Sequence, residues 1–180
     1  MGSEPDDIYD RMQRLQGIER VEEYLRWLKE TYKDPNKQEW METIVPHLTV
    51  ISHSLASPYP RVTFRFTPQP GHSNGVTGVH GGCTASLFDH CTSMVLPLIS
   101  RPGFWKFLGI SRTLNVTYVR PMPVGEPVDV ECEVVHAGRR LAALRGVARA
   151  AARGAEGQGP VLAICEHGKV NTDPPVGGKL

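Results

Sequence analysis

The sequence lacks any segment that would carry the chain into or across a membrane. No apolar run approaches the roughly 18 residues that a membrane-spanning helix needs. The first ten residues, MGSEPDDIYD, have neither the apolar core of a secretory signal nor the basic, acid-poor character of a transit peptide. Asp6 occupies the place where a myristoylation signal has Ser or Thr. We therefore expect a cytosolic protein without a membrane span, and a mitochondrial location is the alternative left open.

An excess of charge of one sign is also missing. Twenty Lys and Arg residues stand against nineteen Asp and Glu residues, which leaves a formal net charge of +1. Such a balance gives no overall field that would attract nucleic acid or a membrane surface. We expect no nucleic-acid partner, and any basic site must be local.

Several catalytic signatures are absent. There is no G-x-S-x-G elbow, no cysteine-centred motif and no H-E-x-x-H or similar spacing among the seven histidines. Nucleophilic serine or cysteine catalysis therefore has little support, and we expect no metal site. The cysteines form no C-x-x-C pair and lie in apolar or strand-like stretches, which favours buried, reduced thiols. They are Cys83, Cys91, Cys132 and Cys165.

The chain has the composition of one globular domain. Its 180 residues are 40% hydrophobic and 22% charged, enough for a single sizeable core. From Asp6 to about Lys33, apolar residues recur at three- and four-residue steps, which predicts an amphipathic helix. Pro35 ends it, and a short turn is expected around Glu39 to Thr43. The apolar positions include Met12, Leu15, Ile18, Val21, Leu25 and Leu28.

Six later segments have the residue types of strands, with turn signals between them. They are His47 to Ala56, Arg61 to Thr67, Ile110 to Tyr118, Val128 to His136, Leu141 to Ala150 and Pro160 to Asn171. Between the second and third, Thr84 to about Ile99 is apolar on nearly every side and predicts a buried helix. This order predicts an α+β domain in which an antiparallel sheet wraps around a central helix. Residues 154–159 are expected to form an exposed insertion.

The chemistry concentrates where a glycine-rich turn runs into that helix, in NGVTGVHGGCTASLFDHCTSMVL (residues 74–96). Unpaired N–H groups and the positive end of the helix dipole lie at a helix start, so Gly81 or Gly82 could polarise a carbonyl oxygen. Asp89 lies about two turns further on. A carboxylate in so apolar a helix is costly unless it is hydrogen-bonded or used. It is therefore either a general base or a structural partner of a neighbouring loop.

Other polar residues of this region have two interpretations each. His80 could be a base, although we favour a structural role that fixes the turn. Asn74 is a turn residue or an amide that donates to a substrate carbonyl. Ser111 is by default an ordinary polar residue of its strand.

A basic cluster flanks the predicted turn at residues 137–138. His136, Arg139 and Arg140 could hold a phosphate group there. An exposed basic hairpin tip without a ligand explains the same residues equally well.

Taken together, three stretches resemble the hot-dog thioesterases of the phenylacetic-acid-degradation (PaaI-like) group, which includes small acyl-CoA thioesterases. These are Asn74 through the HGG of residues 80–82, Asp89 within ASLFDHCTSMVL, and GISRTLNVTYVRPMPVGEPVDVECEVVHAGRR from Gly109 to Arg140. The resemblance runs from about Thr67 to Asn171. Their order and spacing make it far more specific than a glycine pair.

The resemblance implies a hot-dog fold that hydrolyses acyl-CoA or acyl-carrier thioesters without a cofactor. It assigns the water-activating base to Asp89, its hydrogen-bonding companion to Ser111, and carbonyl polarisation to the Gly81 N–H and the Asn74 amide. It also implies a homodimer with active sites at the interface, in which Asp89 acts on a thioester held by the other subunit. A dimer of dimers is the higher assembly that the resemblance implies. His80, Gly82, His136, Arg139 and Arg140 are the candidate substrate-binding residues.

The same resemblance divides the chain into an N-terminal helical extension (1–45), a hot-dog domain (46–172) and a tail (173–180). Two other functions stay open. One is a hot-dog dehydratase or hydratase, although the histidine and acidic pair of that chemistry is not evident. The other is a non-catalytic module that binds acyl-CoA or an acyl carrier. Release of a product from a carrier protein is a further variant of the hydrolase.

Overall fold

The computed structural model describes residues 11–12, 14–37, 39–56, 58–152 and 158–174. Its centre is a six-stranded antiparallel sheet with the strand order β1-β2-β4-β5-β6-β3. The strands are β1 (Leu48–Ser54), β2 (Arg61–Phe66), β3 (Ile110–Tyr118), β4 (Val128–Ala137), β5 (Leu141–Ala150) and β6 (Val161–Val170). The two α-helices are α1 (Gly17–Thr31) and α2 (Gly81–Ser93). Short 3-10 segments lie at Trp40–Thr43, Val45–His47, Pro70–His72 and Leu96–Leu98.

The six predicted strands are confirmed, with ends that agree within two residues. Their alternation explains this success, because every second residue of β2, namely Val62, Phe64 and Phe66, is fully buried. Although β3 follows β2 in the sequence, it lies at the edge of the sheet beside β6. The antiparallel sheet wrapped around a central helix, with an additional N-terminal helix, is therefore the observed architecture.

The central helix packs its inner face against the sheet. Leu87, Phe88 and Cys91 are fully buried there. Phe88 crosses β5 at Gly146, where a Cβ atom would lie 2.7 Å from the Phe88 ring, so the close approach depends on a residue without a side chain. This contact fixes α2 against the concave face of the sheet.

Helix α2 differs from the prediction in where it begins and ends, and in having one polar face. It begins at Gly81 and ends at Ser93, and the apolar residues that follow form the 3-10 segment Leu96–Leu98. A turn containing Pro97 cannot continue an α-helix, since its ring removes a hydrogen-bond donor. The outer stripe of α2 is polar and partly exposed, and carries Gly82, Ser86, Asp89 and Ser93.

The N-terminal helix is shorter than the predicted span from Asp6 to Lys33. Residues 11, 12 and 14 are helical, but the helix is interrupted at 15–16 and α1 starts at Gly17 with φ +60°. That left-handed backbone conformation breaks a continuous helix and suits glycine. Residues 6–10 and 13 lie outside the described part of the chain. From α1, Val21, Leu25 and Leu28 enter the core shared with the sheet.

The predicted exposed insertion at 154–159 falls largely outside the described residues. The expectation for the cysteines holds for Cys91, Cys132 and Cys165, which are free and buried. It is wrong for Cys83, which is free but only half-buried because it lies in the first turn of α2, at the edge of the core. Burial raises the pKa of the Cys83 thiol to about 11. It is therefore a thiol at neutral pH, unlike a nucleophilic cysteine.

Two further observations concern membranes and metals. Within the described ranges, no helix is both long enough and apolar enough to cross a bilayer. In that same part of the chain, no three His, Cys, Asp or Glu side chains are grouped so that they could hold a metal ion.

Candidate active site

The two glycine N–H groups at the start of α2 differ in their availability. His80 is the N-cap residue, and its Nδ1 accepts a hydrogen bond of 2.9 Å from the Gly82 N–H. The Gly82 N–H is thus occupied by the chain itself. Among the described residues, none accepts a hydrogen bond from the Gly81 N–H. Of the two glycines, Gly81 is the one whose N–H can reach a substrate oxygen.

The loop before the helix orients the side chain of Asn74. Its Oδ1 accepts hydrogen bonds from the N–H groups of Val76 (2.8 Å), Thr77 (3.0 Å) and Gly78 (3.3 Å). The amide oxygen therefore organises the turn. The Nδ2 group, a donor, has no acceptor within the described part of the chain and remains available.

Asn74 and Gly81 open onto the same cavity, which has a volume of about 360 Å³. Tyr118, in its wall, donates a 2.8 Å hydrogen bond from its hydroxyl to the Gly81 carbonyl oxygen and fixes the helix start against β3. Arg120 and Met122 also line the cavity. Two residues that the sequence suggested separately therefore line one cavity.

The base candidate lies elsewhere on the helix and is accessible. The Asp89 side chain is 47% exposed. Its Oδ1 accepts a 2.6 Å hydrogen bond from the Ser111 hydroxyl, on edge strand β3. Asp89 therefore does not point into its own core, and the structure brings it together with the companion that the sequence suggested.

Two buried residues of β6 lie behind this pair. His167 Nε2 is 3.0 Å from the Ser111 Oγ and 3.4 Å from Asp89 Oδ1. Lys169 donates to the Ser93 Oγ at 2.7 Å, and its Nζ is 3.5 Å from the Ser111 Oγ. Sequence analysis missed both. The available signal was a histidine and a lysine two residues apart, on the inward face of a strand that is otherwise apolar.

The hydrogen bonds indicate the protonation of His167. Burial, reinforced by the charge of Lys169 and opposed by Asp89, lowers the pKa of His167 to about 4, so its ring is neutral near pH 7. Ser111 has one hydroxyl proton, and it donates this proton in the hydrogen bond to Asp89. The Ser111 oxygen therefore accepts a hydrogen bond from the Nε2–H of His167. Nδ1 is then the nitrogen without a proton, and the Thr92 Oγ1 lies 2.6 Å from it and 2.5 Å from the Phe88 carbonyl oxygen.

Lys169 places a positive charge beneath the carboxylate. The residue is 4% exposed. Burial lowers the pKa of Lys169, and the charge of Asp89 opposes that change. The ammonium group thus supplies a cation on the protein side of Asp89, while the other side of the carboxylate faces outward.

The basic cluster lies apart from these groups, at the tip of the β4–β5 hairpin. The side chains of His136, Arg139 and Arg140 are exposed. Trp105 Nε1 donates to the Gly138 carbonyl at 2.8 Å, and Asn171 Nδ2 donates to the Arg139 carbonyl at 3.0 Å. The tip is therefore held by its backbone while its side chains remain available. None of the three lines the cavity beside Gly81.

The donors and the base lie at separate places, because Asp89 does not line the cavity beside Gly81. Asp89 follows Gly81 by eight residues on the same helix, which corresponds to about 12 Å along the axis. The base is therefore separated from the two donor groups on the surface of the chain.

Comparison with known proteins agrees with this architecture. A family model described as Thioesterase superfamily matches residues 78–155. Human acyl-coenzyme A thioesterase 13 is 30% identical over 115 residues, which cover 64% of this chain and 76% of that protein.

Among solved structures, zebrafish thioesterase superfamily member 2 has a TM-score of 0.68 at 23% identity and covers 87% of this chain and 99% of that one. The phenylacetic acid degradation protein PaaI of Thermus thermophilus has a TM-score of 0.56 at 17% identity, over 73% of this chain and 96% of that one. These two likenesses establish the shared fold. With the similarity in sequence, they show that the chain belongs to the thioesterase superfamily as a hot-dog thioester hydrolase.

Proposed function

We propose that this protein hydrolyses acyl-CoA thioesters with Asp89 as the general base. The name of the human relative supports the substrate class. The observation that carries the mechanism is the exposed Asp89 carboxylate, oriented by Ser111 at 2.6 Å. A carboxylate held in this way can orient a water molecule and accept its proton.

The reaction follows from the base and the two donor groups. The water oxygen attacks the carbonyl carbon while Asp89 takes the water proton, and the carbonyl electron pair moves to oxygen. The Gly81 N–H and the Asn74 Nδ2 donate to that oxyanion. Collapse breaks the C–S bond, the electron pair leaves with sulfur, and the thiolate recovers the proton from Asp89. Neither step calls on a metal or redox cofactor, since a thiolate is a good leaving group.

A second copy of the chain would complete the site. Edge strand β3 has eight of its nine residues exposed, including Ile110 and Leu114, and an open strand edge readily pairs with another strand. Ser111, near one end of β3, holds Asp89, and Tyr118, about 24 Å further along the strand, holds Gly81. Antiparallel pairing of two β3 strands about a two-fold axis between residues 114 and 115 would set Ser111 against the partner's Tyr118.

This register brings the base of one subunit to the donors of the other. We therefore propose a homodimer with two sites at its interface. A dimer of dimers remains the sequence-based expectation for higher assembly. The catalytic part is proposed to span residues 46–172, with 1–45 as an extension and 173–180 as a tail.

Coenzyme A would reach the site along the cavity beside Gly81, whose wall includes Arg120. The exposed Arg139 and Arg140, with His136 beside them, are our candidates for its phosphate groups. His80 and Gly82 support the binding turn through their mutual hydrogen bond. A cytosolic location and the absence of a nucleic-acid partner stay predictions.

The test is release of free thiol from a panel of acyl-CoA and acyl-carrier thioesters, with wild-type protein. Turnover of acyl-CoA supports the proposal, and faster turnover of acyl carriers would instead favour product release from a carrier protein. Binding without turnover of any thioester would indicate a binding module. Conversion of an enoyl-CoA without thiol release would indicate a hydratase.

A further inference from the structure

The exposed residue Trp40 contacts α2 one helical turn before the proposed base. It opens the 3-10 segment Trp40–Thr43, and the residue is 78% exposed. Its Nε1–H nevertheless donates a 2.7 Å hydrogen bond to the Ser86 hydroxyl, on α2. The Ser86 hydroxyl in turn donates to the Gly82 carbonyl at 3.0 Å. The indole is therefore held in a defined place while most of its surface remains uncovered.

Ser86 and Asp89 are neighbours on one face of α2. Residues three apart lie on adjacent turns of the same helix face, about 4.5 Å apart along the axis. Trp40 thus covers the stripe of α2 immediately before Asp89. Because its only polar atom already bonds to Ser86, the ring offers purely apolar contact to anything that lies on it.

The other side of Asp89 along the stripe is polar. Ser93 follows Asp89 by four residues, and its Oγ accepts a hydrogen bond from the Lys169 ammonium group at 2.7 Å. At that position an acyl chain would lie on the Ser93 hydroxyl, so it would gain less apolar contact than it gains against an indole ring. A thioester carbonyl at Asp89 therefore has one apolar neighbour along the stripe, namely the indole of Trp40.

We propose that Trp40 forms a wall of the acyl-binding pocket and determines which acyl groups the enzyme prefers. This inference rests on the proposed thioesterase function. It gives the N-terminal extension a role in specificity, because Trp40 is supplied by residues that precede the first strand. Trp40 contacts the acyl chain and takes no part in proton transfer.

The test compares kcat/KM for acetyl-, hexanoyl- and dodecanoyl-CoA in wild-type protein, Trp40→Ala and Trp40→Phe. Loss of the indole is expected to lower kcat/KM for the longer chains about tenfold relative to acetyl-CoA, equivalent to roughly 1.4 kcal/mol of apolar contact. Trp40→Phe keeps an aromatic face and should retain most of the preference. Ser86→Ala leaves the ring but removes its anchor, and should shift the ratio in the same direction to a smaller extent.

Leu55→Ala is the matched control, because Leu55 is 64% exposed and follows β1, at the opposite edge of the sheet from β3. It should leave the ratio of long-chain to acetyl activity unchanged. If Trp40→Ala lowers all three activities equally, or changes none, Trp40 is structural and the inference fails. If the wild-type protein releases no thiol from any substrate, the proposed function itself fails, which is a separate outcome.

Discussion

The Ser111 hydroxyl donates a 2.6 Å hydrogen bond to the Asp89 carboxylate and so links edge strand β3 to the outer stripe of α2. This bond orients the carboxylate from one side, and His167 in turn fixes Ser111. The Asp89 carboxylate is therefore already oriented before a substrate binds. Such preorganisation is what a general base requires.

Replacement of the base separates catalysis from binding. Asp89→Asn keeps the size of the side chain but cannot accept a water proton, so kcat should fall by about 10²–10⁴-fold with little change in KM. Ser111→Ala should reduce kcat less, since the carboxylate remains but loses its orientation. Steady-state assays of thiol release provide the measurement. Full activity of Asp89→Asn would exclude the proposed mechanism.

Mixed dimers test whether the base and the donor groups come from different chains. Asp89→Asn and Asn74→Ala subunits are each expected to be poorly active alone. A mixed dimer would contain one site with both native groups, so a one-to-one mixture after subunit exchange should recover about a quarter of wild-type activity, given half mixed dimers with one good site each. Mixing either variant with itself is the control. Absence of recovery, with exchange verified by mass spectrometry, would place both groups in one chain.

The buried histidine makes folding sensitive to acid. The pKa of His167 in the folded protein is lowered to about 4 by burial, while the unfolded chain has an ordinary histidine pKa near 6.5. Between these values the unfolded state binds more protons, so the free energy of unfolding should decrease as pH falls from about 6.5 to 4. Burial lowers the pKa of His90 to about 4 as well, which adds to the same trend.

Lys169→Met tests how much the Lys169 charge contributes to the lowered pKa of His167. Because Lys169 is among the causes that lower the pKa of His167, its removal should raise that pKa above about 4, whereas Lys169→Arg should keep it low. Titration of the His167 ring by NMR measures this directly, and urea unfolding at several pH values measures the effect on stability. An unchanged pKa in Lys169→Met would show that the ammonium group does not act on this histidine.

The contact of Phe88 with Gly146 provides a prediction about stability. In Gly146→Ala the new Cβ would lie 2.7 Å from the Phe88 ring, and overpacking of a buried contact costs about 1–3 kcal/mol. Gly138→Ala is a suitable comparison, because the nearest atom to its Cβ would be 3.6 Å away. Denaturant unfolding should show a clear loss for the first variant and a small one for the second. Equal stability of both variants would contradict a rigid Phe88.

Much of the fold could be predicted from local patterns. Strands β2 and β5 alternate between buried and more exposed residues, and turn residues separate the strands along the chain. The predicted strand ends therefore lie within two residues of the observed ends. The N-terminal helix was less well predicted, because the apolar periodicity continues across residues 15–17. The helical backbone is interrupted there, and Gly17 has a left-handed conformation. Periodicity describes which face is buried and is insensitive to a single left-handed residue.

The site was only partly predictable for a related reason. Asn74, Gly81 and Asp89 lie in one continuous stretch of sequence, where a glycine-rich turn and a carboxylate are noticeable together. His167 and Lys169 lie more than seventy residues later on β6, and their polar side chains on an apolar face do not by themselves show that they lie behind Asp89. Trp40 likewise reaches α2 through a hydrogen bond across 46 residues.

The sequence by itself determined the strands, the central helix and the glycine turn before it, because each depends on residues close together in the chain. Only the tertiary structure decided that the Gly82 N–H is bonded to His80 while the Gly81 N–H has no acceptor among the described residues. It also decided that β6 places a histidine and an ammonium group behind Asp89. These features arise from which strand lies beside which. Strand order is set by packing of the whole sheet around α2, and local preference carries no information about it.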